Sequence, residues 1–329
     1  MRALAERVAT VACVTQVPEG ESGVPPLMVR LDYDALLAEY SPQAASPEAL
    51  PPAAEAVPAV VDDALSVADD APAGADAVPA VQVQGLTKRF GEVTAVEKLS
   101  ITVPAGTFYG IVGPNGAGKS TTLSMISGLL RPDAGTIHIA GRDLAKHSSA
   151  IMRTVGVLPD RLRTFDRLTG RQLLRYYGLL RGLDARTIDE RTAQLARAFD
   201  LSASLSRVVS DFSAGMTKKL MLAGAMIHAP KLLILDEPFV AVDPVAAEVI
   251  LRILRTYVDH GGTVILSSHG MELVERICQR VAVIVRGELL AEGPVAEVTG
   301  GISLEARFSQ WASSPIEAGG LEWLHTFSG

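Results

Sequence analysis

The sequence predicts an α/β fold with a mostly parallel central sheet, and three observations support this prediction. From residue 231 to residue 285, short apolar segments alternate with segments of helical periodicity, which is the pattern of parallel strands joined by covering helices. Residues 108–112 form an apolar segment that leads through a glycine-rich loop into a helical segment. Residues 161–210 contain two further helical periods, so a helical subdomain is expected over about residues 161–230.

The individual elements follow from local patterns along the chain. Apolar runs and alternations predict the strands, which cover residues 81–86, 93–103, 108–112, 136–139, 232–235, 263–266 and 281–285. Periods near 3.6 residues predict the helices, which cover residues 122–128, 170–180, 184–200, 220–227, 244–257 and 271–280. Gly128 is expected to end the first helix, and Thr169 and Ser213 are expected to be helix N-caps. Arg286-Gly287 predicts a hairpin turn and therefore an antiparallel β part beside the parallel strands.

The first 80 residues differ in charge from the rest of the chain. They contain 3 Arg, no Lys and 13 acidic residues, which leaves 27 basic and 24 acidic residues, a net charge of +3, in the remainder. Because that remainder is near neutral, no nucleic-acid partner is expected. Cys13 and Cys278 lie far apart and form no metal or redox motif, which fits a reducing compartment.

The composition also indicates how the chain is divided. Residues 41–80 are rich in Ala, Pro, Val and Asp and contain no aromatic residue, so they offer little apolar surface to offset the entropy of ordering. Residues 1–80 are therefore predicted to be a mostly disordered acidic extension and linker, although residues 27–40 could form a strand and a short helix. A docking arm is the alternative for residues 41–80. The folded domain is predicted over residues 81–300, with a short tail over 301–329.

A phosphate-binding loop is predicted directly after the apolar segment 108–112. The loop fits the pattern G-x-x-x-x-G-K-[ST], and its residues are Gly113, Pro114, Asn115, Gly116, Ala117, Gly118, Lys119, Ser120 and Thr121. Its glycines let backbone N–H groups surround an anion at the positive end of a helix. Lys119 is expected to reach the β- and γ-phosphates, and the Ser120 hydroxyl to bind Mg²⁺. A plain glycine-rich turn is the alternative, but the Lys-Ser pair serves no turn geometry.

Two carboxylates end the apolar strand 232–235. Because acidic groups at the end of a buried strand are costly unless they face a site, Asp236 is expected to hold Mg²⁺ through water. Glu237 is expected to orient the attacking water or to accept its proton. The alternative is a buried strand with a solvated acidic end.

The segment Phe212-Ser213-Ala214-Gly215-Met216 resembles the signature sequence of ABC-type ATPases, usually Leu-Ser-Gly-Gly-Gln. The resemblance covers residues 81 to about 300 and implies the P-loop NTPase fold of ABC type. It implies that Ser213 and Gly215 contact the γ-phosphate of ATP held by a partner subunit. An ordinary capped helix is the alternative interpretation of this segment alone.

The same resemblance assigns further positions. Phe90 lies where an aromatic residue stacks on adenine, with a core aromatic as the alternative. His269 matches the switch histidine that contacts the γ-phosphate, with a strand-end cap as the alternative. Residues 242–244 match the loop that follows the acidic strand and communicates across the dimer.

Three segments depart from the family pattern. Asp160 lies where the family usually has Gln, which contacts Mg²⁺ and the membrane subunit, so its role as a metal ligand is carried over from the resemblance. Ala214 replaces a signature glycine, and Ala241-Val242 replaces Gly-Leu. These departures remove no catalytic group, but they are compatible with a slowed or regulated ATPase.

Taken as a whole, the resemblance implies the ATP-binding and ATP-hydrolysing subunit of an ABC transporter, with ATP and Mg²⁺ as cofactors. Its expected partners are a separately encoded transmembrane subunit and a second copy of the ATPase domain. Its expected place is the cytoplasmic face of the cell membrane, and its expected role is export. No stretch of the chain reaches the ~18 apolar residues of a membrane span. The alternatives are a soluble ABC ATPase that moves no solute and a nucleotide-gated regulatory module with little turnover.

Overall fold

A computed structural model of the chain describes residues 78–160 and 167–312. The expectations for the N-terminal extension up to residue 77 lie outside these residues. The same is true of residues 161–166 within the predicted helical subdomain and of residues 313–329.

The strands form two sheets. The antiparallel sheet has the order β2-β1-β4-β5, with β1 (Val81–Phe90), β2 (Val93–Val103), β4 (Ala134–Ile139) and β5 (Arg142–Asp143). The second sheet has the order β10-β9-β3-β8-β7-β6, with β3 (Phe108–Val112), β6 (Val155–Leu158), β7 (Leu232–Leu235), β8 (Thr263–Ser268), β9 (Arg280–Val285) and β10 (Glu288–Pro294). All neighbours in the second sheet are parallel except the β9–β10 hairpin. The predicted α/β class and its antiparallel part are confirmed.

Nine α-helices occur in the described residues. They are α1 (Lys119–Ile126), α2 (Leu144–Met152), α3 (Gly170–Leu180), α4 (Ala185–Ala198), α5 (Ala214–Met226), α6 (Pro244–Asp259), α7 (Met271–Ile277), α8 (Val295–Thr299) and α9 (Leu304–Ala312). The expected caps are present: Thr169 accepts from the Gln172 N–H in a capping box, and Ser213 accepts from the Met216 N–H. Gly128, with φ +70°, follows the last residue of α1 and its C-cap Ser127. The prediction of a helix over 271–280 is wrong at its end, because Cys278 is extended and Arg280 already begins β9.

The parallel order of the second sheet decides where the functional groups lie. Strands β3, β7 and β8 are buried along their whole length, as expected for strands covered on both faces. Since the carboxyl ends of parallel strands meet at one edge, the residues after β3, β7 and β8 are gathered there. The phosphate loop, the acidic pair and His269 are those residues.

The glycine-rich loop, residues 113–118, fits closely between the two sheets. A Cβ at Gly113 would lie 2.0 Å from the Ile284 carbonyl oxygen, and a Cβ at Gly118 would lie 2.4 Å from the Ala95 carbonyl oxygen. Both glycines have positive φ, +154° and +100°. The Gly287 N–H donates to the Ala117 carbonyl at 2.9 Å and fixes the loop to the β9–β10 turn. The loop is therefore shaped before any ligand binds.

We expect Gly118→Ala to destabilise the fold more than Gly116→Ala. Both positions have positive φ, which costs an alanine about 1 kcal/mol, but a Cβ at Gly116 meets no atom within 4 Å. The free energy of unfolding is measured by urea titration without nucleotide. The loss in Gly116→Ala reports the backbone strain alone, and the additional loss in Gly118→Ala reports the clash with the Ala95 carbonyl. Equal losses in the two variants would show that the contact with Ala95 is unimportant.

The His228 side chain is half-buried and lies against the start of β6. Its Nε2 lies 3.1 Å from the Val155 carbonyl oxygen, and its Nδ1 is buried without a hydrogen-bond partner. Burial, followed by the nearby charge of Arg181, lowers the pKa of His228 from 6.5 to about 4. The folded protein therefore holds this imidazole neutral at pH values where the unfolded chain would protonate it.

We expect the free energy of unfolding to fall as the pH is lowered from about 6.5 to about 4. In this range the unfolded chain binds a proton at His228, whereas the folded chain does not. His228→Gln should flatten this slope relative to wild type, as measured by urea unfolding at several pH values. His147→Gln, at an exposed position on α2, is the control. A slope unchanged by His228→Gln would contradict the assignment.

Candidate functional site

Asp236 is the centre of the candidate site. Its Oδ1 accepts hydrogen bonds from the Ser120 Oγ at 3.1 Å and from the Ser267 Oγ at 2.5 Å. The carboxylate is 8% exposed and lies directly after β7, while its partners come from the start of α1 and from β8. One acidic group thus connects three elements at the carboxyl edge of the sheet.

Lys119 lies beneath the phosphate loop. Its Nζ donates to the carbonyl oxygens of Gly113 at 2.8 Å and Pro114 at 3.1 Å, and it lies 3.9 Å from the Glu237 Oε1. Burial lowers the pKa of Lys119, while the charges of Glu237 and Asp236 act in the opposite direction. The ammonium is therefore held beside the loop by two carbonyl oxygens and a nearby carboxylate.

Glu237 is fixed at several of its atoms. Its N–H donates to the Ser267 Oγ at 2.9 Å, its Oε2 lies 3.1 Å from the His269 Nδ1, and its carbonyl accepts from the Lys218 Nζ at 2.9 Å. Its φ of +48° is unusual for a residue with a side chain. A carboxylate beside a histidine can accept a proton from an attacking water, so this pair is suited to hydrolysis.

The structure therefore brings together five of the residues that the sequence indicated. They are Lys119, Ser120, Asp236, Glu237 and His269. The roles of Ser267 and Lys218 were not predicted. A hydroxyl at the end of an otherwise apolar strand, 263–268, is the signal that could have identified Ser267, whereas nothing local marks Lys218.

The rest of the phosphate loop is open to the solvent on one side. Pro114, Asn115, Gly116 and Ser120 are exposed, whereas Ala117 is buried. The loop ends in α1, whose first-turn N–H groups point outward as in other helix N-termini. This arrangement can bind a chain of phosphates.

Phe90 lies at the tip of the β1–β2 hairpin and is 52% exposed. This exposure excludes the alternative of a core aromatic. The Lys88 Nζ lies 5.6 Å from the ring centroid. The next strand, β2, runs past Gly118 at Ala95, so this hairpin and the phosphate loop are in contact through β2.

Ser213 and Gly215 pack against a different part of the chain from the phosphate loop. A Cβ at Gly215 would meet the Asp243 Oδ2 at 2.9 Å and the Ala246 Cβ at 3.2 Å, so the start of α5 packs against the start of α6. Helix α1, by contrast, contacts β2 and β8. Ser213 is exposed. The two predicted nucleotide-binding segments of the chain thus pack against different elements.

Asp160 is exposed two residues after Leu158, whose carbonyl accepts the Asp236 N–H at 2.8 Å. Burial lowers the pKa of Lys218, and the strongest opposing influence on this ammonium is the charge of Asp160, followed by Asp236 and Glu237. Asp160 therefore lies within electrostatic reach of Lys218, the lysine that donates to the Glu237 carbonyl. It makes no direct contact with Ser120 or Asp236 among the hydrogen bonds of the described residues.

The donor atoms around Asp236 fit Mg²⁺. The described residues contain no group of three His, Cys, Asp or Glu side chains that could hold a metal by themselves. Mg²⁺ however commonly takes one or two protein oxygens and completes its shell with water and substrate phosphates. A hydroxyl and a carboxylate beside a phosphate-binding loop are such a partial set.

Comparisons with known proteins agree with this geometry. The family model described as ABC transporter matches residues 96–240. The daunorubicin/doxorubicin resistance ATP-binding protein DrrA of Streptomyces peucetius is 37% identical over 67% of this chain and 66% of its own length. The Nod factor export ATP-binding protein I of Ralstonia nicotianae is 38% identical, over 66% of this chain and 68% of its own length. The chain thus spans about two thirds of the length of these relatives.

A solved structure of an ATP-binding subunit of an ABC transporter is 30% identical and superposes with a TM-score of 0.66 over 70% of this chain and 99% of its own. Among residues 78–160 and 167–312, no helix combines the length and the apolar character needed to cross a bilayer. The matching family model, the identity to the relatives and the position of the site at the carboxyl edge of the sheet support the same family assignment. The chain belongs to the ABC transporter family, as one of its ATP-binding, ATP-hydrolysing subunits.

Proposed function

We propose that this chain energises export through a separate transmembrane subunit, by ATP-driven closure of two ATPase domains at the cytoplasmic face of the membrane. The observation that carries the proposal is the cluster of Lys119, Glu237 and His269, in which Glu237 lies within 4 Å of both partners. Relatives named for drug resistance and for Nod factor export support the direction of transport.

The residues of the phosphate loop would bind and orient ATP. Residues 113–121 would surround the phosphates with N–H groups, Lys119 would exchange its loop carbonyls for phosphate oxygens, and Phe90 would stack on the adenine. Ser120 and Asp236 would hold Mg²⁺, with Asp160 as an additional oxygen donor. When bound, Mg²⁺ offsets charge on the phosphates.

Glu237 and His269 would act on the water and the γ-phosphate. A cavity of about 290 Å³ opens beside both side chains and is also lined by Ser267, so water can reach the Glu237 carboxylate. Glu237 would orient the water and take its proton, while His269 would contact the γ-phosphate. The chain's contribution to catalysis would be positioning and charge stabilisation.

Ser213 and Gly215 would complete the site of a second copy. Their packing against α6 rather than against the phosphate loop of the same chain supports a head-to-tail dimer in which each ATP meets both chains. A dimeric ATP-binding cassette bound to ADP and Pi has the same fold, with 21% identity and a TM-score of 0.61. Within the proposed ATPase domain, residues 81–300, the helical subdomain over 161–230 and the Asp160 segment would pass closure to the membrane subunit.

We expect Glu237→Gln to retain ATP binding, to lower hydrolysis by roughly 100-fold or more and to trap an ATP-dependent dimer. The amide cannot accept the proton from water, so the closed state would persist. Light scattering of wild type and variant with ATP and Mg²⁺, together with phosphate release, measures both effects. Glu248→Gln, at an exposed acid on α6, is the matched control.

Three outcomes would redirect the proposal. Association with ribosomes or DNA instead of a membrane protein would favour a soluble ABC ATPase. Nucleotide binding without turnover, even with the membrane partner present, would favour a regulatory module. If the variant dimerises only when membranes are added, the membrane subunit is required for closure.

We expect Phe90→Ala to weaken ATP binding by roughly 10-fold, because stacking of a base on an aromatic ring contributes about 1–3 kcal/mol. Phe90→Trp should keep the affinity, since it keeps a ring. Titration with a fluorescent ATP analogue measures the dissociation constant. Val93→Ala, at another exposed apolar residue of the same hairpin, is the control, and equal affinities of the Phe90→Ala and Val93→Ala variants would contradict adenine stacking.

A further inference from the structure

Glu237 adopts a backbone conformation that needs support from its surroundings. Its φ of +48° places a residue with a long side chain in the left-handed region, where only strong local contacts keep such residues. The residues on either side are an aspartate and a proline, so no glycine relieves the strain. The contacts of the Glu237 main chain therefore decide where its carboxylate points.

Two side chains hold that main chain. Ser267 on β8 accepts the Glu237 N–H at 2.9 Å, and Lys218 on α5 donates to the Glu237 carbonyl at 2.9 Å. The Ser267 hydroxyl is also bound to Asp236. Lys218 is the side chain from α5 that contacts Glu237, and the carbonyl also accepts a longer hydrogen bond from the Val240 N–H at 3.3 Å.

Lys218 is buried, with 6% of its surface exposed. Burying an ammonium costs free energy unless it is paired and hydrogen-bonded, and here its compensation comes from the Glu237 carbonyl and from the charges of Asp160, Asp236 and Glu237. The side chain is thus placed where its charge and its donor both act on the acidic pair.

We propose that Lys218 is a positioning residue for ATP hydrolysis, which holds the main-chain carbonyl of Glu237 so that the carboxylate faces the reacting water. The proposal rests on the function proposed above. Without Lys218, the Glu237 carbonyl keeps only the longer hydrogen bond from the Val240 N–H, at 3.3 Å. The strained backbone is then freer to relax toward negative φ, which would rotate the carboxylate away from His269 and Lys119.

The same contact connects the two halves of the composite site. Ser213 caps α5 and Lys218 lies five residues further on, about 7.5 Å along the helix axis at the rise of an α-helix. If Ser213 meets the nucleotide of a second copy, a displacement of α5 reaches Glu237 through this single hydrogen bond. Lys218 would thereby make the position of the catalytic glutamate depend on closure.

Lys219 offers an internal comparison. It is the next residue on α5 and is also buried, with 7% of its surface exposed. A substitution there removes a buried lysine from the same helix without touching the Glu237 carbonyl. A general effect of losing buried charge from α5 would be seen at both positions.

The test uses the full chain, with its membrane subunit where that subunit co-purifies, and compares Lys218→Met, Lys218→Arg and Lys219→Met. We expect Lys218→Met to lower kcat by roughly 10- to 100-fold, as misplacement of a catalytic group by about 1 Å does, and to change the KM for ATP less than about 2-fold. Lys218→Arg, which keeps a charged donor, should recover most of kcat. Affinity for a fluorescent ATP analogue and the melting temperature establish that each variant is folded.

A folded Lys218→Met variant with wild-type kcat would overturn the proposal, as would a rise in KM with kcat unchanged or an equal loss of kcat in Lys219→Met. If Lys218→Met does not fold, Lys218→Gln, which is neutral and too short to reach the carbonyl in the same way, is expected to show the same loss of kcat, and wild-type kcat in this variant would overturn the proposal. A wild-type chain that binds ATP but never hydrolyses it would instead overturn the proposed function and, with it, the role of Lys218.

Discussion

The structure of the site depends on one buried carboxylate, that of Asp236. Its Oδ1 accepts from the hydroxyls of Ser120 and Ser267, and this joins the start of α1 and the ends of β7 and β8 at one point. A buried charge is tolerated only when such donors surround it. The two hydroxyls therefore stabilise the sheet edge and at the same time prepare an oxygen-rich place for a hard cation.

Around this point, two buried lysines balance two carboxylates. Lys119 approaches from the phosphate loop and Lys218 from α5, while Asp236 and Glu237 follow β7. Burial lowers the pKa of both lysines and the neighbouring acids oppose that effect. The arrangement is preorganised, because the groups are held by the fold before ATP arrives, and preorganised charge is what phosphoryl transfer requires.

The phosphate loop and the Ser213–Gly215 segment pack against different parts of the fold. The phosphate loop is fixed between the two sheets by Ala95 and Gly287, whereas Gly215 packs against the Asp243 loop. This packing is compatible with the proposed head-to-tail dimer, in which each chain would supply half of each of two sites. It also gives α5 a special position, since it carries Ser213 at its start and Lys218 one turn further on.

The sequence by itself determined the features that depend on local chemistry. The bounds of β3 and α3 match the prediction because an apolar run and a capping box are complete within a few residues, and the phosphate loop is recognised because its glycines, lysine and serine are contiguous. Tertiary structure decided the rest, since it alone brings Ser267 and Lys218 to Asp236 and Glu237 across 19 to 31 residues. It also ended α7 at Ile277, where β9 pairing overrides helical periodicity, and left Phe90 exposed on a hairpin. The physical reason is that hydrogen bonds and burial between distant segments leave no periodic trace in either segment alone.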